Sequence, residues 1–409
     1  MKYVIIGGSA AAIGCIEGIR SRDKAGEIVL VTGETEWNYS RPLISYLLEG
    51  KTARDKMWCR PDSFFAENGV TVKAGVLATG LDAASKSVLL STGERLAYDR
   101  LLMATGSRPF VPPIPGLSTV ERTFSFQTLA DAETLAAALR PESRVLILGA
   151  GLTGVKCAEG IRARCAEITI VDLAPRVLPA VLDDTAAAMV RERMEENGVR
   201  FYLGDSAEAF CGNTARFKSG TELEFDVLVT AVGVRPNTQL VTDAGGAADR
   251  GILVDGGCAT TLPDVYAAGD CAQGYDAVSG EKRMLPLWPN AMLQGETAGV
   301  NMAGGSADYT QGIALNASGV FGLHMVTAGS YAGESFTVQR DGGYKRLVTA
   351  DGVLKGVIMV GDVARAGIYT DLIRKKKPLA ELDFDLIRES PQLMAFSKKD
   401  RTVQLGGEV

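Results

Sequence analysis

Two turns rich in small residues, one beginning at Gly7 and the other at Gly149, constrain this 409-residue chain more than any other feature. Each follows an apolar run typical of a buried strand and precedes a stretch predicted to begin a helix. Small residues let the backbone approach a pyrophosphate, and the free N–H groups of the helix N-terminus attract its charge. Two such turns predict two bound dinucleotides and electron transfer between them.

The second turn carries the complete pattern Gly149-x-Gly151-x-x-Gly154. The next predicted strand ends in Asp172, at the distance from the glycines where an acid binds the ribose 2′-hydroxyl. Because a carboxylate there repels a 2′-phosphate, the sequence predicts NADH rather than NADPH. Arg176 lies nearby in the sequence and would soften that preference if it faced the ribose.

The first turn is degenerate, because Gly7-x-Ser9-x-x-Ala12 replaces two of the three glycines with slightly larger residues. Its acid candidate is Glu34, which follows the predicted strand 28–31. The alternative for either turn taken alone is a tight connection between strand and helix that binds no ligand.

Composition excludes several other classes of function. The formal net charge of −6 gives no electrostatic footprint for nucleic acid or anionic lipid. No stretch is long and uncharged enough for a membrane span, so we expect a soluble, cytoplasmic protein. The seven cysteines include no C-x-x-C pair, which suits a reducing compartment. One histidine and scattered cysteines predict no metal site.

The order of segments predicts one nucleotide domain interrupted by another, an α/β fold with two Rossmann-like domains. The first domain is expected over residues 1–110 and 242–305, and the second over residues 111–241. Each finishes with an apolar strand closing on small residues, at Ala104-Thr105-Gly106 and around Gly233. Residues 306–409 carry several short predicted strands and one helix, which indicates a small α+β domain.

Two segments are predicted to complete the first domain. Residues 251–255 and 263–271 are predicted to return the chain to the first domain, and Asp270, after Gly269, is expected at a strand end, where ligands of open α/β sheets collect. Asn290 then lies at the start of a predicted helix.

Taken together, these motifs resemble the FAD-dependent pyridine-nucleotide oxidoreductases of the glutathione-reductase-like superfamily. The segment 39–45, with the Ala104-Thr105-Gly106 and Gly269-Asp270 motifs, looks most like the NADH:rubredoxin reductase and nitrite-reductase flavoprotein branch. The resemblance implies FAD and NAD(H) as cofactors and an interface role for the last domain, which pairs either with a second copy or with another subunit. The implied FAD positions are Gly7, Ser9, Ala12, Glu34, Arg41, Ala104, Thr105, Gly106, Gly269, Asp270 and Asn290. The implied NAD(H) positions are Gly149, Gly151, Gly154, Asp172 and Gly233.

The chain departs from many of these relatives in lacking a cysteine beside the flavin. Relatives that reduce disulfides or peroxides carry one after the first acid, whereas residues 38–50 here contain none. Cys59 is the nearest, and a packing role is favoured over redox chemistry for it. The departure argues against disulfide reductase, peroxidase and coenzyme A disulfide reductase activity.

Lys156 is a second departure, since many relatives have a glutamate there, near the flavin and nicotinamide. One interpretation is a helix lysine paired with Glu159 at i+3. The other is a cation close to the flavin that raises its reduction potential. His324 is expected to be structural, because hydride transfer needs no proton shuttle, and Trp288 either lines the flavin or packs in the core.

These observations predict an NADH-dependent flavoprotein oxidoreductase that passes hydride from NADH to FAD and then electrons to a rubredoxin-like or other iron–sulfur protein. The alternative is an FAD- and NAD(H)-binding subunit of a larger iron–sulfur complex that oxidises an aldehyde or a 2-oxoacid. An NADH oxidase and a redox-inert flavoprotein scaffold are less favoured.

Overall fold

The computed structural model describes residues 1–340 and 342–404. The strands are β1 (Lys2–Ile6), β2 (Glu27–Thr32), β3 (Val70–Ala74), β4 (Ala78–Asp82), β5 (Ser87–Leu90), β6 (Arg95–Ala97), β7 (Arg100–Met103), β8 (Ser107–Pro109), β9 (Thr123–Phe124), β10 (Arg144–Leu148), β11 (Glu167–Asp172), β12 (Val199–Leu203), β13 (Ala207–Cys211), β14 (Thr214–Phe217), β15 (Glu222–Glu224), β16 (Val227–Thr230), β17 (Val234–Pro236), β18 (Val265–Ala267), β19 (Gly274–Tyr275), β20 (Lys282–Arg283), β21 (Leu315–Val320), β22 (Leu323–Gly329), β23 (Glu334–Arg340), β24 (Gly343–Ala350) and β25 (Val353–Val360). The helices are α1 (Ala10–Arg22), α2 (Ile44–Glu49), α3 (Ser63–Glu67), α4 (Leu129–Ala138), α5 (Leu152–Ile161), α6 (Asp184–Glu196), α7 (Gln239–Asp243), α8 (Trp288–Met302), α9 (Ala366–Lys375), α10 (Phe384–Glu389) and α11 (Lys398–Gln404).

The N-terminal sheet is parallel throughout, in the order β18-β7-β1-β2-β3. Four of its strands lie before residue 104, and β18 joins only after the chain has built the middle sheet. Its central strands are almost entirely buried, as a parallel sheet covered on both faces requires. Helices α1 and α8 pack closely against each other, since a Cβ on Gly14 would lie 2.2 Å from the carbonyl oxygen of Met292.

The middle sheet repeats this design with the parallel order β12-β11-β10-β16-β9. The chain leaves the N-terminal sheet through β8 and returns to it through β17, and these two strands pair antiparallel with each other. A three-stranded antiparallel sheet, β13-β14-β15, packs against the middle sheet through Phe210, Phe217 and Phe225. The predicted α/β fold with two Rossmann-like parallel sheets is therefore confirmed.

The C-terminal sheet is antiparallel, in the order β21-β22-β25-β24-β23. Helix α9 buries Tyr369, Leu372 and Ile373 against one face, in a cluster that includes Leu347 and Val357. The strands β22, β24 and β25 also contribute buried side chains to the core shared with α5 and α6.

The predicted hairpin forms from β5 and β6. Residues 251–255 hold isolated bridges through Ile252, and Ile252 packs in a core cluster with Val4 and Val29 of the N-terminal sheet. None of the helices in the described part combines the length and apolarity needed to cross a membrane.

Candidate dinucleotide-binding site

Both predicted turns lie at the carboxyl ends of central strands, β1 and β10. Gly7 has φ +118°, and a Cβ there would lie 2.0 Å from the carbonyl oxygen of Ala104, just beyond β7. Gly149 has φ +106°, and its Cβ would lie 2.4 Å from the carbonyl oxygen of Ala231, just beyond β16. In both turns the first glycine is therefore required by the end of the neighbouring strand.

The helices that follow these turns begin without side-chain caps. Neither Ser9, before α1, nor Gly151, before α5, makes a capping hydrogen bond to described residues. By contrast α4, α6 and α10 are capped by Thr128, Asp183 and Asp383. No capping side chain therefore occupies the N-termini of α1 and α5. Their free N–H groups can donate to an anion, which fits a pyrophosphate at each turn.

The remaining glycines of the second turn serve different purposes. A Cβ on Gly154 would lie 1.9 Å from the carbonyl oxygen of Gly149, so the turn itself requires glycine there. A Cβ on Gly151 would meet no atom within 4 Å, and its φ of −75° is open to any residue. Neither packing nor backbone conformation explains Gly151, whereas close approach of a ligand does.

Asp172 ends β11 beside this turn. Its Oδ2 accepts a hydrogen bond from the backbone N–H of Ala150 at 2.6 Å, and its Oδ1 accepts from Ala174 at 2.7 Å. The carboxylate is thereby fixed, and each oxygen keeps a lone pair for a ribose hydroxyl. The guanidinium of Arg176 pairs with Asp184, the first residue of α6, at 3.0 Å rather than with Asp172.

Glu34 and Arg41, predicted separately, meet in the structure. Arg41 forms an ion pair with one oxygen of Glu34, and the hydroxyl of Tyr39 donates to the other at 2.6 Å. Tyr39 also accepts a hydrogen bond from the N–H of Leu129, and burial raises the pKa of its hydroxyl. Arg41 donates further to the carbonyl of Gln127. Tyr39 is a functional candidate that sequence reasoning missed, although it lies in the motif that carried the resemblance.

Asp270 follows Gly269 immediately after β18 and is paired with Ser107, whose Oγ lies 3.2 Å from its Oδ2. Burial raises the pKa of the Asp270 carboxyl above its ordinary value, and Ser107 and Arg41 partly offset the rise. The amide nitrogen of Gln127 donates to Ser107, while its Oε1 is buried without a partner among residues 1–340 and 342–404. The orphaned oxygen thus lies next to the Ser107–Asp270 pair and to Arg41, which donates to the carbonyl of Gln127.

Thr105 and Gly106 lie where the chain leaves the N-terminal sheet. The hydroxyl of Thr105 donates to the carbonyl of Asn237 at 2.7 Å, and the side-chain amide of Asn237 donates back to Thr105 at 2.8 Å. Gly106 and Gly233 both have positive φ. These contacts hold the two crossing links together, so Thr105 has at least a structural role.

Asn290 and Trp288 lie in the first turn of α8. The side-chain amide of Asn290 donates to the carbonyl of Ile313, which ties this helix to the C-terminal domain. The Trp288 side chain is partly buried, and its indole lies beside the thiol of Cys59. Cys59 is half-buried, and burial raises the pKa of its thiol.

Lys156 takes the ion-paired arrangement that the sequence allowed. It pairs with Glu159, donates to the carbonyl of Gly319 at 2.9 Å, and lies 4.3 Å from the ring centroid of Tyr46. Glu159 is buried and accepts from the N–H of Phe321 at 2.6 Å. The pair therefore joins α5 to α2 and to the hairpin of β21 and β22, and an effect on the flavin stays a prediction.

His324 and the cysteines lie outside this arrangement. His324 is exposed on β22. Burial raises the pKa of the thiols of Cys15, Cys157 and Cys271. Within the described ranges, no three His, Cys, Asp or Glu side chains are placed to hold a metal ion.

Comparisons with known proteins agree with this geometry. The model of the pyridine nucleotide-disulphide oxidoreductase family matches residues 1–295. The NADH-dependent phenylglyoxylate dehydrogenase subunit epsilon of Aromatoleum evansii is 34% identical, over 93% of each chain. The rubredoxin-NAD(+) reductase of Alcanivorax borkumensis is 32% identical, over 76% of this chain and 81% of its own. The crystal structure of the covalent putidaredoxin reductase–putidaredoxin complex shares the fold, with a TM-score of 0.87 at 23% identity over 100% of this chain and 99% of that one.

Proposed function

This chain belongs to the pyridine nucleotide-disulphide oxidoreductase family, and from that premise we propose that it passes electrons from NADH through FAD to an iron–sulfur protein. It is an oxidoreductase that uses FAD and a pyridine nucleotide. The free thiols of its seven cysteines favour the cytoplasm as its location.

The observation that carries the proposal is the missing thiol on the flavin side. Residues 38–50, which include α2, contain no cysteine. Cys59, the nearest, has its pKa raised by burial and so holds its proton. Without an internal dithiol to receive them, the electrons leave for an external acceptor. A small iron–sulfur protein accepts electrons singly and needs no substrate pocket of its own in this chain.

The proposed roles of the residues follow from their places in the two sheets. The N-termini of α1 and α5 would bind the two pyrophosphates, and Gly151 would leave room for the second of them. Asp172 would accept a hydrogen bond from the adenosine ribose of NADH, and the fixed geometry of its carboxylate would orient that ribose. Bound FAD supplies the capacity to accept a hydride and to release single electrons.

On the flavin side, three groups would position the cofactor. Glu34, held by Arg41 and Tyr39, would accept from the ribose of FAD, and the guanidinium of Arg41 would offset its charge. Asp270, buried beside Ser107, would orient the middle of the cofactor. Each of these contacts fixes the cofactor before it reacts, which is the main contribution a protein makes to hydride transfer.

A second candidate is the electron-transfer subunit of a larger complex that oxidises an aldehyde or a 2-oxoacid. The similarity to the phenylglyoxylate dehydrogenase subunit supports it, since that match covers 93% of both chains and so extends into the C-terminal domain. The match to the rubredoxin reductase covers 76% of this chain. In this role the C-terminal domain would bind another subunit rather than a second copy.

Purification of the intact protein from its own cells distinguishes the two candidates. A stoichiometric iron–sulfur partner that survives gel filtration, identified by iron and sulfide analysis, supports the complex. A flavoprotein that elutes alone and reduces added rubredoxin with NADH supports the free carrier. Elution alone with no reduction of any one-electron iron–sulfur acceptor would contradict both.

A further inference from the structure

A second cavity lies apart from the dinucleotide turns and contains none of the residues assigned to them. Its volume is about 290 Å³, at the lower end of the range for small-molecule sites. The loop 254–258, the β19–β20 ribbon, the segment 308–310 and the last residues of α9 surround it. The cavity therefore lies where the end of the N-terminal domain meets the C-terminal domain.

The floor of the cavity is apolar except for one hydroxyl. Val254, Cys258 and Ala277 are buried there beside Tyr309, which is only 4% exposed. The hydroxyl of Tyr309 is buried and has no hydrogen-bond partner among the described residues. A buried hydroxyl without a partner costs free energy.

The rim carries charges of both signs that form no ion pairs. Its cations are Lys282, Arg374 and Lys376, and its carboxylates are Asp255 and Asp308. Within residues 1–340 and 342–404, no ion pair within 4.0 Å involves any of the five, although Lys282 donates to the carbonyl of Val254 and Asp255 accepts from the N–H of Ala259.

The neighbouring lysines of the same segment behave differently. Lys375 pairs with Asp371 at 3.0 Å, and Lys377 pairs with both Glu381 and Asp400. Lys376 lies between these two lysines and borders the cavity instead. The charges on the rim are thus left available while adjacent ones are neutralised.

We propose that this cavity binds a small zwitterion of the α-amino acid class. Its carboxylate would lie against Arg374 and Lys376, and its ammonium against Asp255 and Asp308. Its side chain would rest on the apolar floor. A simple anion would face the two unpaired carboxylates and a simple cation the unpaired bases, whereas a zwitterion complements both. The assignment does not depend on the proposed electron acceptor.

Calorimetric titration of the full-length, FAD-loaded protein with each of the twenty protein amino acids tests the proposal. At least one is expected to bind, and its deaminated acid and its decarboxylated amine are each expected to bind about tenfold more weakly or worse. If no amino acid binds, or if the deaminated acid or the amine binds as tightly as the amino acid, the assignment is wrong.

Variants of the cavity locate the binding. Arg374→Gln and Asp308→Asn should each weaken it about tenfold, and Lys375→Gln, one residue along the same helix but paired with Asp371, should leave it unchanged. Tyr309→Phe should not lower the thermal midpoint of the ligand-free protein, because the hydroxyl it removes is unpaired. Equal losses in Arg374→Gln and Lys375→Gln would place the binding elsewhere and overturn the proposal.

Discussion

The two dinucleotide turns solve one geometric problem with different degrees of strictness. In both, the first glycine is forced by the neighbouring strand end, at Ala104 for Gly7 and at Ala231 for Gly149. At the third position they diverge. A Cβ added at Gly154 would clash with the carbonyl of Gly149, whereas the first turn accommodates the Cβ of Ala12, which is fully buried in the core beside α8.

The difference shows that the glycine pattern combines three separate constraints. A neighbouring strand end sets the first position, the turn's own carbonyl sets the third, and the ligand sets the second. The degenerate first turn keeps only the first of these constraints, because Ser9 occupies its second position and Ala12 its third. Matched substitutions in the two turns separate these constraints.

The largest effect is expected at the third position. Gly154→Ala places a Cβ against the carbonyl of Gly149 and should lower the free energy of unfolding by about 3 kcal/mol while abolishing NADH binding. The matched change Ala12→Gly should cost only about 1 kcal/mol through lost helix propensity. Denaturant unfolding measures both. Similar losses in the two variants would show that the turns do not differ as described.

The second position should affect binding without affecting stability. Gly151→Ala meets no protein atom and should change the free energy of unfolding by less than about 0.5 kcal/mol, yet weaken NADH binding about tenfold or more. Ser9→Ala, the counterpart in the first turn, removes no capping bond and should retain FAD. Wild-type affinity for NADH in Gly151→Ala would refute the ligand-approach role.

The acid of the second domain should control the choice of dinucleotide. Asp172→Asn keeps one acceptor and loses the charge, so kcat/KM for NADH should fall about tenfold and the preference over NADPH should shrink. Arg176→Gln serves as the control, because the Arg176 guanidinium forms an ion pair with Asp184 at the start of α6. A larger shift in Arg176→Gln than in Asp172→Asn would reverse the assignment.

A smaller effect is expected where the two domains meet at Lys156. Lys156→Met removes a cation beside α2 and should lower the flavin potential by about 30 mV. Adding Glu159→Gln should restore most of it, because the net charge of the pair is then unchanged. Spectroelectrochemical titration measures this. An unchanged potential in Lys156→Met would leave the lysine a purely structural role.

The smallest effect concerns the pH dependence of the apoprotein. Burial raises the folded-state pKa of Asp270 above its ordinary 3.8, so the folded state holds that proton more tightly than the unfolded state. Stability from this group is present at lower pH and is lost as pH rises from 3.8 through the raised value. Asp270→Asn should therefore flatten the dependence of the free energy of unfolding on pH in that window. An unchanged slope would show that Asp270 keeps its ordinary pKa.

Sequence reasoning predicted the parts of the site that one strand and one turn determine. The glycine positions, Asp172 at the end of β11 and the helix starts all depend on local pattern. The domain boundaries at residues 110, 241 and 305 stay predictions, although the sheets are built from segments arranged in that order.

The remaining contacts join elements that are far apart in the chain. Ser107 meets Asp270, Asn237 meets Thr105, and the carbonyl of Gly319 meets Lys156. Neither hydrophobic periodicity nor motif spacing indicates which connecting segments lie against each other in the fold. These contact partners were therefore not predicted. The motif around Arg41 was one available signal, since it places Tyr39 two residues away.

Anaerobic rapid mixing of the FAD-loaded protein with NADH tests the central claim most directly, because it requires both dinucleotides to be held at once with their rings in contact. The visible absorbance of the oxidised flavin is expected to bleach within milliseconds to seconds in wild type and to persist in Gly151→Ala at low NADH. A folded protein that takes up no FAD, or whose flavin stays oxidised at saturating NADH, would contradict the account.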